Sequence, residues 1–428
     1  MRSRWRWRSL PEAQPAVGIV WMVNKGTLTS SNPIHHPPST IHHPPSTIHH
    51  PPSTIHHPPF PRTMSELIIE DLMERLVEMG GSDMHIQAGA PVYFRVSGKL
   101  APVGEEPLSP QDCQKLIFSM LNNTQRKELE QTWEIDCSYG VKGLARFRVN
   151  VYKERGCYAA CLRALSSKIP NFDQMGLPEI VREMSGRPRG LILVTGPTGS
   201  GKTTTMAAMI DLINRTRAEH ILTIEDPVEY VFSNIKSLVH QRQKGEDTKS
   251  FSNALRAALR EDPDVILVGE LRDLETISLA ISAAETGHLV MGTLHTSSAA
   301  QTIDRMLDVF PPAQQPQIRA QLSNSLVAVF SQALVQKKKP KPGEYGRVLV
   351  QEIMIVTPAI SNLIREGKTA QIYSAIQTGA KLGMNTMESI LAKHIREGTI
   401  SFEVGISKSS RPEELQRLIG ATPMATRN

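Results

Sequence analysis

Apolar residues change their spacing repeatedly along this chain, and each change marks an element. Between Ser65 and Met79 they recur every three or four residues. This predicts an amphipathic helix, capped by Ser65 and stopped by Gly80 and Gly81. Strand-like runs follow at residues 82–86, 92–96 and 99–103, with Ser97 and Gly98 as a hairpin signal. Ser109 and Pro110 open another helix as cap and first-turn residue. Further strand-like runs cover 133–139, 145–153 and 157–165. Residues 64–165 therefore read as one small α+β domain.

The pattern then changes. Residues 166–189 carry Pro170, Pro178 and Pro188 and read as a linker with a short helix. Beyond Gly190, runs at 191–195, 220–224, 265–269 and 288–293 are apolar without alternation, and helical patterns separate them. Strands apolar on both faces, alternating with helices, predict a parallel sheet that binds ligands at its C-terminal strand edges. This α/β domain is expected over 190–345. Residues 336–344 form a polar, Lys-rich loop, a solvated turn rather than a nucleic-acid patch. Residues 346–428 are expected to be mainly helical, with a polar tail.

Residues 1–63 have no core-forming pattern. Within 34–57, Ile-His-His-Pro-Pro-Ser-Thr repeats at a seven-residue period, and proline excludes both helix and central strand. The segment reads as a low-complexity extension, with Met64 as a candidate true start. Its eight histidines leave metal binding as the alternative.

Charge and cysteines narrow the function classes. The formal net charge is +6, but Arg2, Arg4, Arg6, Arg8, Lys25 and Arg62 precede Met64 against Glu12 alone. The remainder is close to neutral, which gives no support to general nucleic-acid binding. Cys113, Cys137, Cys157 and Cys161 form no C-x-x-C pair and are expected to be reduced, small apolar residues. No run approaches the roughly 18 apolar residues of a membrane span. The apolar stretch at 17–23 lacks a cleavage site, so no signal peptide is expected.

Four segments carry chemistry. Gly196, Pro197, Thr198, Gly199, Ser200, Gly201, Lys202 and Thr203 fit the phosphate-loop template G-x-x-x-x-G-K-[ST], followed by Thr204. An apolar run stands before the loop and a helical pattern after it, which is the context that template requires. Loop amides and the helix N-terminus would hold ATP phosphates, Lys202 would reach the β- and γ-phosphates, and Thr203 would ligate Mg²⁺. The second segment, 221–230, ends a strand in Glu225, Asp226 and Glu229, acids able to hold metal-bound or attacking water. The third, 262–273, ends in Gly269 and Glu270, placed to polarise water. The fourth, 287–305, ends its strand in His295, which could contact the γ-phosphate or the water.

In this order the segments resemble the hallmark boxes of the secretion-motor ATPase superfamily, which includes type II secretion and type IV pilus motors. The similarity runs from about residue 64 to 400, and within the superfamily it is greatest to pilus retraction motors. Residues 82–86 and 145–150 resemble strands of that family's N-terminal domain. Residues 359–366 resemble its A-I-R-N-L-I-R-E motif, with Ser361 in place of the first arginine. The resemblance implies a RecA-like P-loop ATPase domain with a PAS-like N-terminal domain, assembled as a homo-oligomeric, hexameric ring. It implies that ATP binds between the two domains, and that Arg146, Arg148 and Arg163 reach the nucleotide of a neighbouring subunit. It also implies docking on an inner-membrane platform protein at the cytoplasmic face, and no nucleic-acid partner. Pilus extension and type II secretion motors share the four boxes but commonly add a four-cysteine zinc module, and no cysteine follows Cys161. An accessory paralogue of retraction motors fits the same residues, and a RecA-like nucleic-acid motor is the remoter alternative.

Overall fold

The structure, a computed structural model, describes residues 68–96, 98–165, 169–340 and 346–420. The histidine repeat, Ser65 and the C-terminal tail lie outside them.

The N-terminal domain begins with α1 (Ile69–Glu78), whose N-cap position is taken by Ile68 without a side-chain cap. The helix therefore starts four residues after the cap expected at Ser65. β1 (Gly81–Ile86), β2 (Val92–Val96) and β3 (Lys99–Val103) form a meander, with Gly98 at φ 82° in the hairpin turn. α2 (Pro110–Met120) starts in a capping box between Ser109 and Asp112. α3 (Asn123–Thr132) was not anticipated. Its sequence is almost wholly polar and only Leu129 is buried; Asn122 and Gln125 define it through a second capping box. β4 (Glu134–Val141), β5 (Ala145–Glu154) and β6 (Cys157–Ala164) complete an antiparallel six-stranded sheet in the order β3-β2-β1-β6-β5-β4. The apolar faces of α1 and α2 cover this sheet, with Leu72, Leu76, Leu116 and Ile117 packed around Phe94, Phe147 and Leu162. Cys113 and Cys137 are buried here, and burial pushes their thiols up to about 11 and about 12 respectively.

The connecting segment holds two short helices, α4 (Phe172–Met175) and α5 (Glu179–Ser185), where one was expected. The second domain then opens with β7 (Gly190–Thr195) and α6 (Lys202–Thr216). It continues through β8 (His220–Glu225), β9 (Leu238–Gln243), α7 (Phe251–Ala258), β10 (Val265–Val268), α8 (Leu274–Glu285), β11 (Leu289–Leu294), α9 (Ala299–Asp308), α10 (Gln315–Ser325) and β12 (Leu326–Gln336). β13 (Arg347–Ile355) closes a seven-stranded sheet ordered β13-β12-β7-β11-β10-β8-β9. All neighbours run parallel except β12 and β13. Every residue of β7, β10 and β11 is buried, as central strands with helices on both faces require.

β13 corrects the expectation of helix from residue 346 onward. It pairs in register with β12 from Arg347 to Ile355, so the sheet runs past the polar loop. Helices follow only afterwards: α11 (Pro358–Arg365), α12 (Ile372–Thr378), α13 (Met387–Arg396), α14 (Phe402–Lys408) and α15 (Pro412–Ile419). No helix among the described residues is long and apolar enough to cross a membrane.

Candidate active site

The loop from Gly196 to Gly201 joins the C-terminal end of central strand β7 to the N-terminus of α6. Gly196 has φ 141°, and a Cβ placed there would stand 2.2 Å from the Gln332 carbonyl oxygen. Only glycine lets the loop pass so close to β12. Gln332, 1 % exposed, braces the loop: its Nε2 donates to Ser200 O at 2.8 Å. Its Oε1 accepts from Thr205 Oγ1 and from Gln351 Nε2, each at 3.1 Å. No motif singles out this residue, although a glutamine inside the apolar run of β12 is a signal for it.

Lys202 Nζ donates to Gly196 O at 2.8 Å and Pro197 O at 3.2 Å, and lies 3.5 Å from His295 Nδ1. Burial lowers the Lys202 pKa, and the nearby Glu270 and Glu229 charges oppose that shift. Thr204 Oγ1 meets the Tyr230 hydroxyl at 3.2 Å.

Glu225, Glu229, Glu270 and His295 come to the same sheet edge because β8, β10 and β11 are parallel and in register. Glu225 is buried, which raises its pKa against hydrogen bonds from Thr223 Oγ1 at 2.6 Å and Gln241 Nε2 at 3.2 Å. Glu270 Oε1 accepts from Arg272 Nε and lies 3.0 Å from His295 Nε2. The neighbouring helix does not need Glu270 as a cap, because Asp273 Oδ1 caps α8 through Thr276 N at 2.9 Å.

These groups line a cleft of about 820 Å³ with Thr198, Gly199, Gly201, Lys202, Thr203, Thr204 and Arg148. That volume lies in the range of pockets for nucleotide-sized ligands. The three arginines separate. Arg148 lines this cleft within its own chain, where the resemblance implied a neighbour's nucleotide. Arg146 is outside the cleft lining and bonds Ser138, Gln243 and Glu246. Arg163 donates from Nε to Asp83 Oδ1 at 2.8 Å, its side chain 63 % exposed, away from the cleft lining.

A phosphate loop at the edge of a parallel sheet, facing a strand-end glutamate and histidine, defines a RecA-like P-loop ATPase. The chain belongs to the family described as type II/IV secretion system protein, whose model matches residues 62–405. It is 51% identical over 345 residues to the type IV pilus retraction ATPase PilT of Pseudomonas aeruginosa, covering 81% of this chain and 99% of that protein. It is 47% identical to a twitching motility protein of Neisseria gonorrhoeae, over 75% of this chain and 85% of the relative. Among solved structures, the pilus retraction motor PilT with bound ADP superposes with a TM-score of 0.77 at 51% identity, over 82% of this chain and 100% of that one.

Proposed function

We propose that this chain hydrolyses ATP with Mg²⁺ as one subunit of a homo-oligomeric, hexameric ring that retracts type IV pili. The observation that carries the proposal is the extent of the likeness: it spans both domains and 99% of the Pseudomonas retraction ATPase, not the cleft alone. Docking on a platform protein at the cytoplasmic face of the inner membrane follows from that reading.

The cleft's residues divide the work. Amides of Gly199, Ser200 and Gly201 and the start of α6 hold phosphates, together with Lys202. Lys202 now rests on the loop's own carbonyl oxygens, so it must turn from Gly196 and Pro197 to meet a phosphate. The Thr203 hydroxyl is the group that would hold Mg²⁺, with Glu225 and Glu229 arranged for its water shell. Bound there, the metal would neutralise phosphate charge. Glu270 orients and polarises the attacking water, and His295 links that carboxylate to Lys202. Arg148 supplies positive charge from the N-terminal domain of its own chain, and exposed Arg163 is the candidate to serve a neighbouring copy.

Deletion of the gene in its host tests the direction of work. Surplus surface pili with loss of twitching supports retraction, whereas bald cells would assign the chain to extension.

A further inference from the structure

Gln243 closes β9 and is 4% exposed, beside the nucleotide cleft. Its single Oε1 accepts two hydrogen bonds from different domains. One comes from Arg146 Nη2 on β5 at 2.9 Å. The other comes from the backbone N–H of Val228 at 3.0 Å. Val228 lies in the turn that follows Glu225 and immediately precedes Glu229. Around this amide the two domains interlock. Arg146 Nη2 also donates to Ser138 Oγ at 2.6 Å and meets Glu246 Oε2 at 3.3 Å. Glu246 Oε1 accepts from Ser138 Oγ at 2.9 Å and from Ser138 N at 3.3 Å. The end of β9 is itself tied to the acid strand, since Lys244 N donates to Glu225 O at 2.9 Å.

We propose that Arg146, Gln243 and Glu246 form an interdomain latch, in which Gln243 is the positioning residue that sets the acid turn carrying Glu229 when the N-terminal domain is seated. The proposal rests on the ATPase reading above and assigns Arg146 a different task from Arg148. Two residues apart on one strand, they share a face, yet Arg148 enters the cleft and Arg146 stops at the latch. A buried amide oxygen that loses one of two donors is left under-satisfied, so departure of the N-terminal domain is felt at Val228. The latch thereby lets the acid turn read the position of the other domain.

Steady-state ATP hydrolysis by the full chain tests this through a double-mutant cycle. Gln243→Leu removes the shared acceptor together with the Nε2 donor to Ser138 Oγ, and Arg146→Ala removes the donor to Gln243 Oε1. Each should lower kcat about tenfold with little change in KM, a loss typical of residues within one network. The double variant should fall no further than either single. Gln243→Glu keeps an acceptor for both donors but loses the donation from Gln243 Nε2 to Ser138 Oγ at 3.3 Å, so it should recover part of the kcat that Gln243→Leu loses. Arg148→Ala, acting in the cleft, should multiply with Gln243→Leu. Losses that multiply in the Arg146 and Gln243 pair, unchanged kcat in Gln243→Leu, or equal losses in Gln243→Glu and Gln243→Leu would each overturn the latch. An inactive wild-type chain would instead sink the ATPase reading itself.

Discussion

His295 stands between Lys202 and Glu270, with Nδ1 3.5 Å from the lysine Nζ and Nε2 3.0 Å from the glutamate Oε1. The ammonium can only donate, so a hydrogen bond at that contact requires Nδ1 to accept, which leaves an Nε2 proton directed at Glu270. The imidazole thus connects the lysine proposed to bind phosphate to the carboxylate proposed to handle water. Once Lys202 turns to a phosphate, as proposed above, the histidine should keep its contact with Glu270 and lose the one at Nδ1.

His295→Ala should therefore lower kcat by about 10²-fold, the lower end of what a positioned acid–base group contributes. Affinity for a fluorescent ATP analogue should stay near that of wild type. Loss of binding in step with loss of turnover would place His295 in the nucleotide's ground-state grip instead.

Gly196→Ala should damage the loop more than its size suggests. The added methyl would lie 2.2 Å from Gln332 O, on a backbone at φ 141°. Thermal melting should show destabilisation of more than about 2 kcal/mol, since both clash and backbone strain act at once. Nucleotide binding, read by calorimetry, should fall with it. A variant with wild-type melting would mean that the β7 and β12 ends separate freely.

Mixing experiments distinguish the two remaining arginines. Arg163→Ala chains retain a complete cleft, and Glu270→Gln chains retain Arg163. If Arg163 serves a neighbour, mixtures of these inactive chains should regain turnover at the mixed interfaces. Arg148→Ala mixed with Glu270→Gln should gain no turnover over the separate chains, because Arg148 lines its own chain's cleft. Recovery in the second mixture would move Arg148 to the neighbouring site.

Glu352 on β13 gives a pH signature. Burial raises its carboxyl to about 7, although the Ala299 N–H bonds it at 2.7 Å at the start of α9. The folded state therefore binds this proton more tightly than the unfolded chain. The resulting stability is fully present below the unfolded value near 4.5 and is lost as pH rises through about 7. Melting of wild type relative to Glu352→Gln should fall across that window. A pH-independent difference would show that Glu352 does not titrate on folding.

Much of this was legible because strong local signals coincide with global placement. Gly196 to Thr203 announce a loop, and the apolar runs ending in Glu225, Glu270 and His295 announce strands whose parallel register brings those ends together. The pairing of β12 with β13 was not legible, because it crosses a polar loop and rests on contacts remote in sequence. β9 was missed for a related reason: an edge strand of sequence Leu-Val-His-Gln-Arg-Gln carries little apolar signal. The tasks of Arg146 and Arg148 look identical two residues apart on β5. Only the placement of Gln243 and Glu246 separates them.

In the proposed mechanism Glu270 handles water while the loop around Lys202 handles phosphate. Its most direct test is the comparison of ATP binding and ATP hydrolysis in Glu270→Gln. ATP affinity should stay close to wild type, with turnover reduced by at least about 10²-fold. Turnover at the wild-type rate in that variant would contradict it.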